Sequence, residues 1–345
     1  MGFEDKYENT RPALFMFFKL GECSGRFVKQ KSVLVLCLAS LSLISTLIIS
    51  TISIVAAQQQ YEFVTKWGSE GSGPGQFNGQ NDVDPFKNFV YVADYDNNRI
   101  QVFDSDGTFV TSWGTEGEED GQIDKASALT VGRNGNIYLV DQSNLRIQKF
   151  DHNGNFVTKW GTEGEEDGQF LHPHVAAVDS EGNVYVTDRD LANVQKFTND
   201  GEFIMKWGSE GEADGQLSAV ESIVVDSNDN IYVADFGNDR IQKFSKDGQF
   251  IAKWGTSGSE AGQFMGPAGL AIDSDDNIYV TDRDNDRIQI FTSNGTFITA
   301  IGSQGSEDGQ FNRPEGVGVD PYSDTGLVYI ADTGNSRIQV FKLVQ

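Results

Sequence analysis

From Tyr61 onward, short apolar runs alternate with polar turn clusters, as in GLAID-SDDN-IYVTD-RDND-RIQIF-TSNG-TFITAIG over residues 269–302. The runs show period-2 alternation and are rich in Val, Ile, Phe and Tyr, which predicts β-strands rather than helices. Asp-Gly and Asn-Gly pairs between them, such as Asp106-Gly107 and Asn153-Gly154, supply the left-handed positions that tight hairpins need. Each unit therefore predicts four strands.

The unit repeats. A GQ-[FIL] motif ends at Phe77, Ile123, Phe170, Leu217, Phe264 and Phe311, a spacing of 46 or 47 residues. The tyrosine of an apolar-Tyr-apolar triplet recurs every 47 residues at Tyr91, Tyr138, Tyr185, Tyr232 and Tyr279, with the sixth, Tyr329, 50 residues further on. Six four-stranded meanders at this period predict an all-β, six-bladed β-propeller over residues 58–345. The first run, YEFVTKW at Tyr61–Trp67, matches the fourth strand of the other units, whereas the C-terminus stops after a third strand, RIQVFKLVQ. Closure is thus expected to be three plus one, with the first strand completing the last blade and removing the open edges. Trp67, Trp113, Trp160, Trp207 and Trp254 share one repeat position, with Ile301 as the sixth, and are expected to pack in the core.

The strings YVADYDNNRIQVF at Tyr91–Phe103, YVADFGNDRIQKF at Tyr232–Phe244 and YIADTGNSRIQVF at Tyr329–Phe341 resemble the NHL repeat. The resemblance implies a six-bladed propeller that usually serves as a binding platform for RNA, proteins or small molecules, and in a minority of members as an enzyme. The Asp-x-x-Asn-x-Arg loop within it suits turn formation and bridging by the arginines. Blade three departs, with Leu191 and Asn193 where Asn and Arg stand elsewhere. The segment FLHPHVAAVDSEGNVYVTD at Phe170–Asp188 is also similar to a blade of the peptidyl-amidoglycolate lyases, whose channel zinc is held by histidines. His174 is the position that matches, and Asn193 stands where that blade often carries His.

The N-terminal part has a different character. Residues 32–57 carry no charge. They are long enough to cross a bilayer, whose hydrocarbon core of about 30 Å needs roughly 20 helical residues. Lys19, Arg26, Lys29 and Lys31 precede them, so residues 1–31 are expected to form a short cytoplasmic tail. The expected arrangement is a single-pass signal-anchor at the cell membrane, with the propeller on the extracytoplasmic side. Secretion after cleavage following Ala57 is the alternative, given the small residues Ala56 and Ala57. Both cysteines, Cys23 and Cys37, lie before the propeller, which leaves it without disulfides.

Charge narrows the partners. With 26 Lys and Arg against 51 Asp and Glu, a net of −25, nucleic acid is excluded as an unaided ligand. Acid concentrates in the connectors between units, GTEGEEDGQ being typical, which contain no Lys or Arg. Because strands alternate in direction, these connectors and the second-to-third loops share one face, here called the top. Glu118, Glu119, Asp120, Glu165, Glu166, Asp167, Glu212 and Asp214 are the candidate ligand-binding residues there. They are expected to attract a cationic protein or small-molecule partner or a divalent cation, for which oxygen ligands favour calcium; a solvated rim is the other reading. The start of the innermost strand is the other place where the units diverge, with Asn81, Ser127, His174, Glu221, Ala268 and Glu315. His174, Glu221 and Glu315 form a donor set able to hold a divalent metal. The expected function is binding at the top face, the alternative a metal-dependent lyase or lactone hydrolase in the central channel.

Overall fold

The computed structural model describes residues 60–320 and 326–344. These form six four-stranded antiparallel sheets. Blade two is typical: Ala126–Val131 innermost, then Ile137–Asp141, Arg146–Phe150 and Phe156–Trp160 outermost. The other innermost strands are Gln80–Phe86, Pro173–Val178, Val220–Val225, Pro267–Ile272 and Val317–Val319, and residues of all six line one central channel cavity. The second strand of blade two is buried throughout while its outermost strand is exposed at alternate positions, as a sheet with one face toward solvent requires.

Closure is three plus one. Gln60–Trp67 lies antiparallel to Arg337–Val344, paired from Gln60 opposite Val344 to Trp67 opposite Ile338 with a one-residue register shift between Phe63 and Thr65. A second tie comes from Tyr61, whose hydroxyl meets that of Tyr279 at 2.8 Å, while Tyr279 donates to Asp273 Oδ2 at 3.1 Å.

The blades adhere through apolar seams. Leu129 and Ile137 of blade two form one buried cluster with Tyr91 and Ile100 of blade one. The five tryptophans are half-buried at these seams rather than enclosed within one blade. Trp113, ending blade one, packs on Phe150 of blade two with ring centroids 6.2 Å apart and lies edge-on to Tyr91 at 6.3 Å. The hairpin glycine opposite has two duties. Gly154 adopts a φ of 81°, and a Cβ there would stand 2.8 Å from the Trp113 ring. Neither the backbone conformation nor the space admits a side chain.

A buried polar network secures the top of five of the six blades. Asp141 is fully buried and accepts from Asp124 N at 2.7 Å, Asn144 Nδ2 at 3.0 Å, Arg146 Nε at 2.6 Å and Gln148 Nε2 at 2.9 Å. The Arg146 fork then donates onward to the carbonyls of Glu118, Glu119 and Gln122 in the connector. Ion pairing and carbonyl capture by the arginine recur at Asp94–Arg99, Asp235–Arg240, Asp282–Arg287 and Asp332–Arg337. The glutamine of the RIQ motif, unassigned by sequence reasoning, completes it; in blade two Gln148 Nε2 also donates to Gln122 O at 2.6 Å.

The tail 1–31 and the charge-free segment 32–57 lie outside the described residues; among the described residues no helix is long and apolar enough to cross a membrane.

The network carries a stability expectation. Arg146→Met leaves Asp141 buried without its counter-charge and should destabilise the propeller by about 3–5 kcal/mol. Chemical denaturation checks this; a loss below about 1 kcal/mol, the value of an exposed pair, would show the network to be dispensable.

Candidate site at the top mouth of the channel

The inner-strand starts converge as expected. Asn81, Ser127, His174, Glu221, Ala268 and Glu315, one from each blade, line a cavity of about 250 Å³ at the top. A second ring joins them from the loops between second and third strands: Tyr95, Arg189 and Arg283 also line it. These side chains occupy the position just after the buried aspartate of each blade, which reads Tyr95, Gln142, Arg189, Phe236, Arg283 and Thr333 around the ring. That position varies from blade to blade while the aspartate before it does not, and this is the sequence signal by which the second ring was discoverable.

The two rings interlock. Glu221 is 3% exposed. Its carboxylate meets Arg189 Nη1 at 2.8 Å through Oε1 and His174 Nε2 at 3.0 Å through Oε2. The other His174 nitrogen, Nδ1, lies 2.8 Å from the Glu221 carbonyl oxygen, so both ring nitrogens face one residue. Glu315 lies 3.6 Å from Arg283 Nη1. Burial pushes the Glu315 carboxyl up to about 7, the Arg283 charge opposing and the Glu221 charge adding to the rise. Phe236 stands between the two arginines. The Arg283 guanidinium carbon lies 4.4 Å from its ring centre and that of Arg189 lies 5.7 Å from it, both within cation–π range. Opposite, the Tyr95 hydroxyl donates to Gln142 Oε1 at 2.7 Å, and Gln142 Nε2 donates to Ser127 Oγ at 3.3 Å. The mouth thus offers cationic, anionic and neutral polar groups on a rigid frame.

His174, Glu221 and Glu315 share the cavity, yet among the described residues no three His, Cys, Asp or Glu side chains are grouped to hold a metal ion. The arginines, invisible to the inner-strand alignment, take up both carboxylates.

The acidic connector residues do not line this mouth. Asp120 pairs with Lys159 at 2.8 Å, Asp167 with Lys206 at 3.0 Å and Asp214 with Lys253 at 2.6 Å, each lysine coming from an outermost strand. The acidic tips therefore sit over the outer part of the blades, and three of the eight candidates are partly neutralised. The physical reason is the connector's path, which starts from an outermost strand and has its carbonyls pinned by the arginine fork. Glu118, Glu119, Glu165, Glu166 and Glu212 are exposed along this rim.

The NHL repeat family model matches residues 264–291 and 311–341, and a family described as a 6-bladed beta-propeller matches residues 177–255. Both matches fall within the six blades. The chain is a six-bladed propeller that carries NHL repeats. No curated protein matches the sequence. Among solved structures, the NHL propeller shares its fold with a protein of unknown function from Bacteroides thetaiotaomicron, at TM-score 0.64 and 17% identity over 83% of this chain and 76% of that one. Virginiamycin B lyase from Staphylococcus aureus is similar at TM-score 0.54 and 13% identity, covering 83% of this chain and 100% of that one. A gluconolactonase from Xanthomonas campestris is similar at TM-score 0.56 and 14% identity, covering 78% of this chain and 87% of that one. At these identities the likeness is one of fold.

Below the mouth, the channel of the NHL propeller holds two neighbouring carboxylates on the innermost strand of blade one. Asp82 Oδ2 accepts Leu129 N at 3.0 Å and Asp84 Oδ2 accepts Val131 N at 2.8 Å, so both cross to blade two. Burial pushes Asp82 up to about 6 and Asp84 up to about 8; the backbone donors oppose this, while Asp82 and Asp320 raise Asp84 further. A carboxyl raised in the fold stabilises most below its unfolded value near 4, and that contribution is lost as pH rises through about 8. Asp84→Asn keeps an acceptor for Val131 N and cannot ionise. Its melting temperature should therefore fall less than that of the wild type between pH 5 and pH 9, and parallel pH profiles would refute the assignment.

Proposed function

We propose that this NHL propeller is a binding module whose ligand site is the top mouth, and that residues 32–57 tether it to the membrane on the extracytoplasmic side. The observation that carries the reading is convergence: two repeat positions that vary from blade to blade supply the polar lining of one cavity, while the repeated residues around them are occupied in structural networks. The lining suits a small polar ligand bearing an anionic group, which Arg189 and Arg283 would engage and Phe236 would hold in place. The acidic rim lies outside this cavity and would act at longer range, on cationic partners or on divalent ions such as calcium. The channel lyase or lactone hydrolase alternative requires His174, Glu221 and Glu315 to be available to a metal, and Glu221 is engaged by His174 and Arg189.

The site is tested by thermal-shift measurements on the full-length protein with a panel of sugar acids, amino acids and small dicarboxylates. A rise in melting temperature is expected with at least one, and Arg283→Ala should abolish it. No response across the panel, or a response unchanged in Arg283→Ala, would sink the proposal. The tether and orientation are tested separately: a cysteine replacing Glu118 should react with a membrane-impermeant reagent on intact cells, and protection there would reverse the assigned orientation.

A further inference from the structure

Blade three lacks the arginine that organises the other five. Asn193 begins its third strand opposite Asp188, the register at which Arg146 stands opposite Asp141. Asp188, fully buried, turns to the backbone instead and accepts Leu171 N at 2.8 Å, with His172, Asp190 and Leu191 N–H groups at 3.1–3.2 Å. Leu191 replaces the asparagine that in blade two donates to Gly117 O, so Gly164 O loses that donor.

The connector carbonyls gripped by the Arg146 fork correspond in blade three to Glu165, Glu166 and Gln169. Lys206 Nζ reaches Glu165 O at 3.2 Å, Gln195 Nε2 reaches Gln169 O at 2.6 Å, and Gln169 N reaches Glu166 O at 3.1 Å. Among the described residues no guanidinium binds all three together. Meanwhile Asn193 is 8% exposed, and its buried Oδ1 has no hydrogen-bond partner among them. An amide oxygen and backbone carbonyls are all acceptors, so they cannot satisfy one another directly. A buried acceptor left alone is unfavourable, and such groups in native proteins are usually met by a donor or an ion.

We propose that a single hard metal cation binds here, bridging Asn193 Oδ1 to the connector carbonyls of Glu166 and Gln169, with Asp188 as the nearby carboxylate. It would take over the guanidinium's two tasks of holding the connector and supplying positive charge. Oxygen donors of this kind, mostly neutral, select sodium, potassium or calcium over softer metals. The site is separate from the mouth cavity and does not depend on the function proposed for it.

The test uses the full-length protein freed of metals and melted in sodium, potassium or calcium chloride, against tetramethylammonium chloride at the same ionic strength. At least one metal should raise the melting temperature by about 2–4 °C. Asn193→Arg, which restores the arginine, should melt higher in tetramethylammonium and lose the metal response. Asn193→Ala, which removes the oxygen without adding charge, should lose the response too and covers the case in which the arginine does not fit. No metal-specific rise in the wild type would mean that Asn193 is met by water alone. A rise that persists in both variants would place the ions on the acidic rim. Either result overturns the proposal.

Discussion

The structure depends on a carboxylate buried at the end of the second strand. In blade two that carboxylate collects an arginine, a glutamine, an asparagine and a backbone amide, and the arginine passes its remaining donors to the incoming connector. The arrangement closes because each donor has an acceptor in a place from which water is largely excluded, where a partly satisfied network would be worse than an apolar one. It also fixes a loop and a connector that would otherwise be free polar excursions on the surface. The residues at the mouth inherit their positions from it.

Repetition separates structural from variable positions. The tryptophan, the hairpin glycine and the RIQ glutamine recur because a seam, a turn and a connector recur. The start of the innermost strand and the residue after the buried aspartate escape those duties, and the ring geometry brings side chains from both to one cavity. The resulting mouth combines Arg189, Arg283, Glu221, Glu315 and His174, with Phe236 packed against the two arginines. Chemical variety is confined to a frame that is already paid for by the repeat.

Much of this was legible in the chain. The spacing of the GQ motif set the blade count, and the misplaced YEFVTKW strand set the mode of closure, because both follow from strand periodicity and from the requirement that edges pair. The inner ring from Asn81 to Glu315 was legible for the same reason, since alignment on a common motif places equivalent residues at equivalent radii. The radial position of the acidic connectors was not. Charge says nothing about distance from the axis, and the neutralising lysines lie far along the sequence, as with Asp120 and Lys159. The placement of Arg189 and Arg283 was not legible, because the local Asp-x-x-Asn-x-Arg motif specifies a turn and an ion pair but not that the side chain after the aspartate reaches the channel axis.

The pairing of Gln60–Trp67 with Arg337–Val344 ties the first described strand to the last. During synthesis, the opening strand must wait, its backbone donors and acceptors without a partner, until almost the whole chain has left the ribosome. The entropy of joining ends so far apart grows only with the logarithm of the intervening length, so the delay is mainly one of time rather than of equilibrium. Premature termination anywhere in the final blade would release a protein with two adhesive edges, and the cell's quality control would meet it as an aggregation-prone fragment.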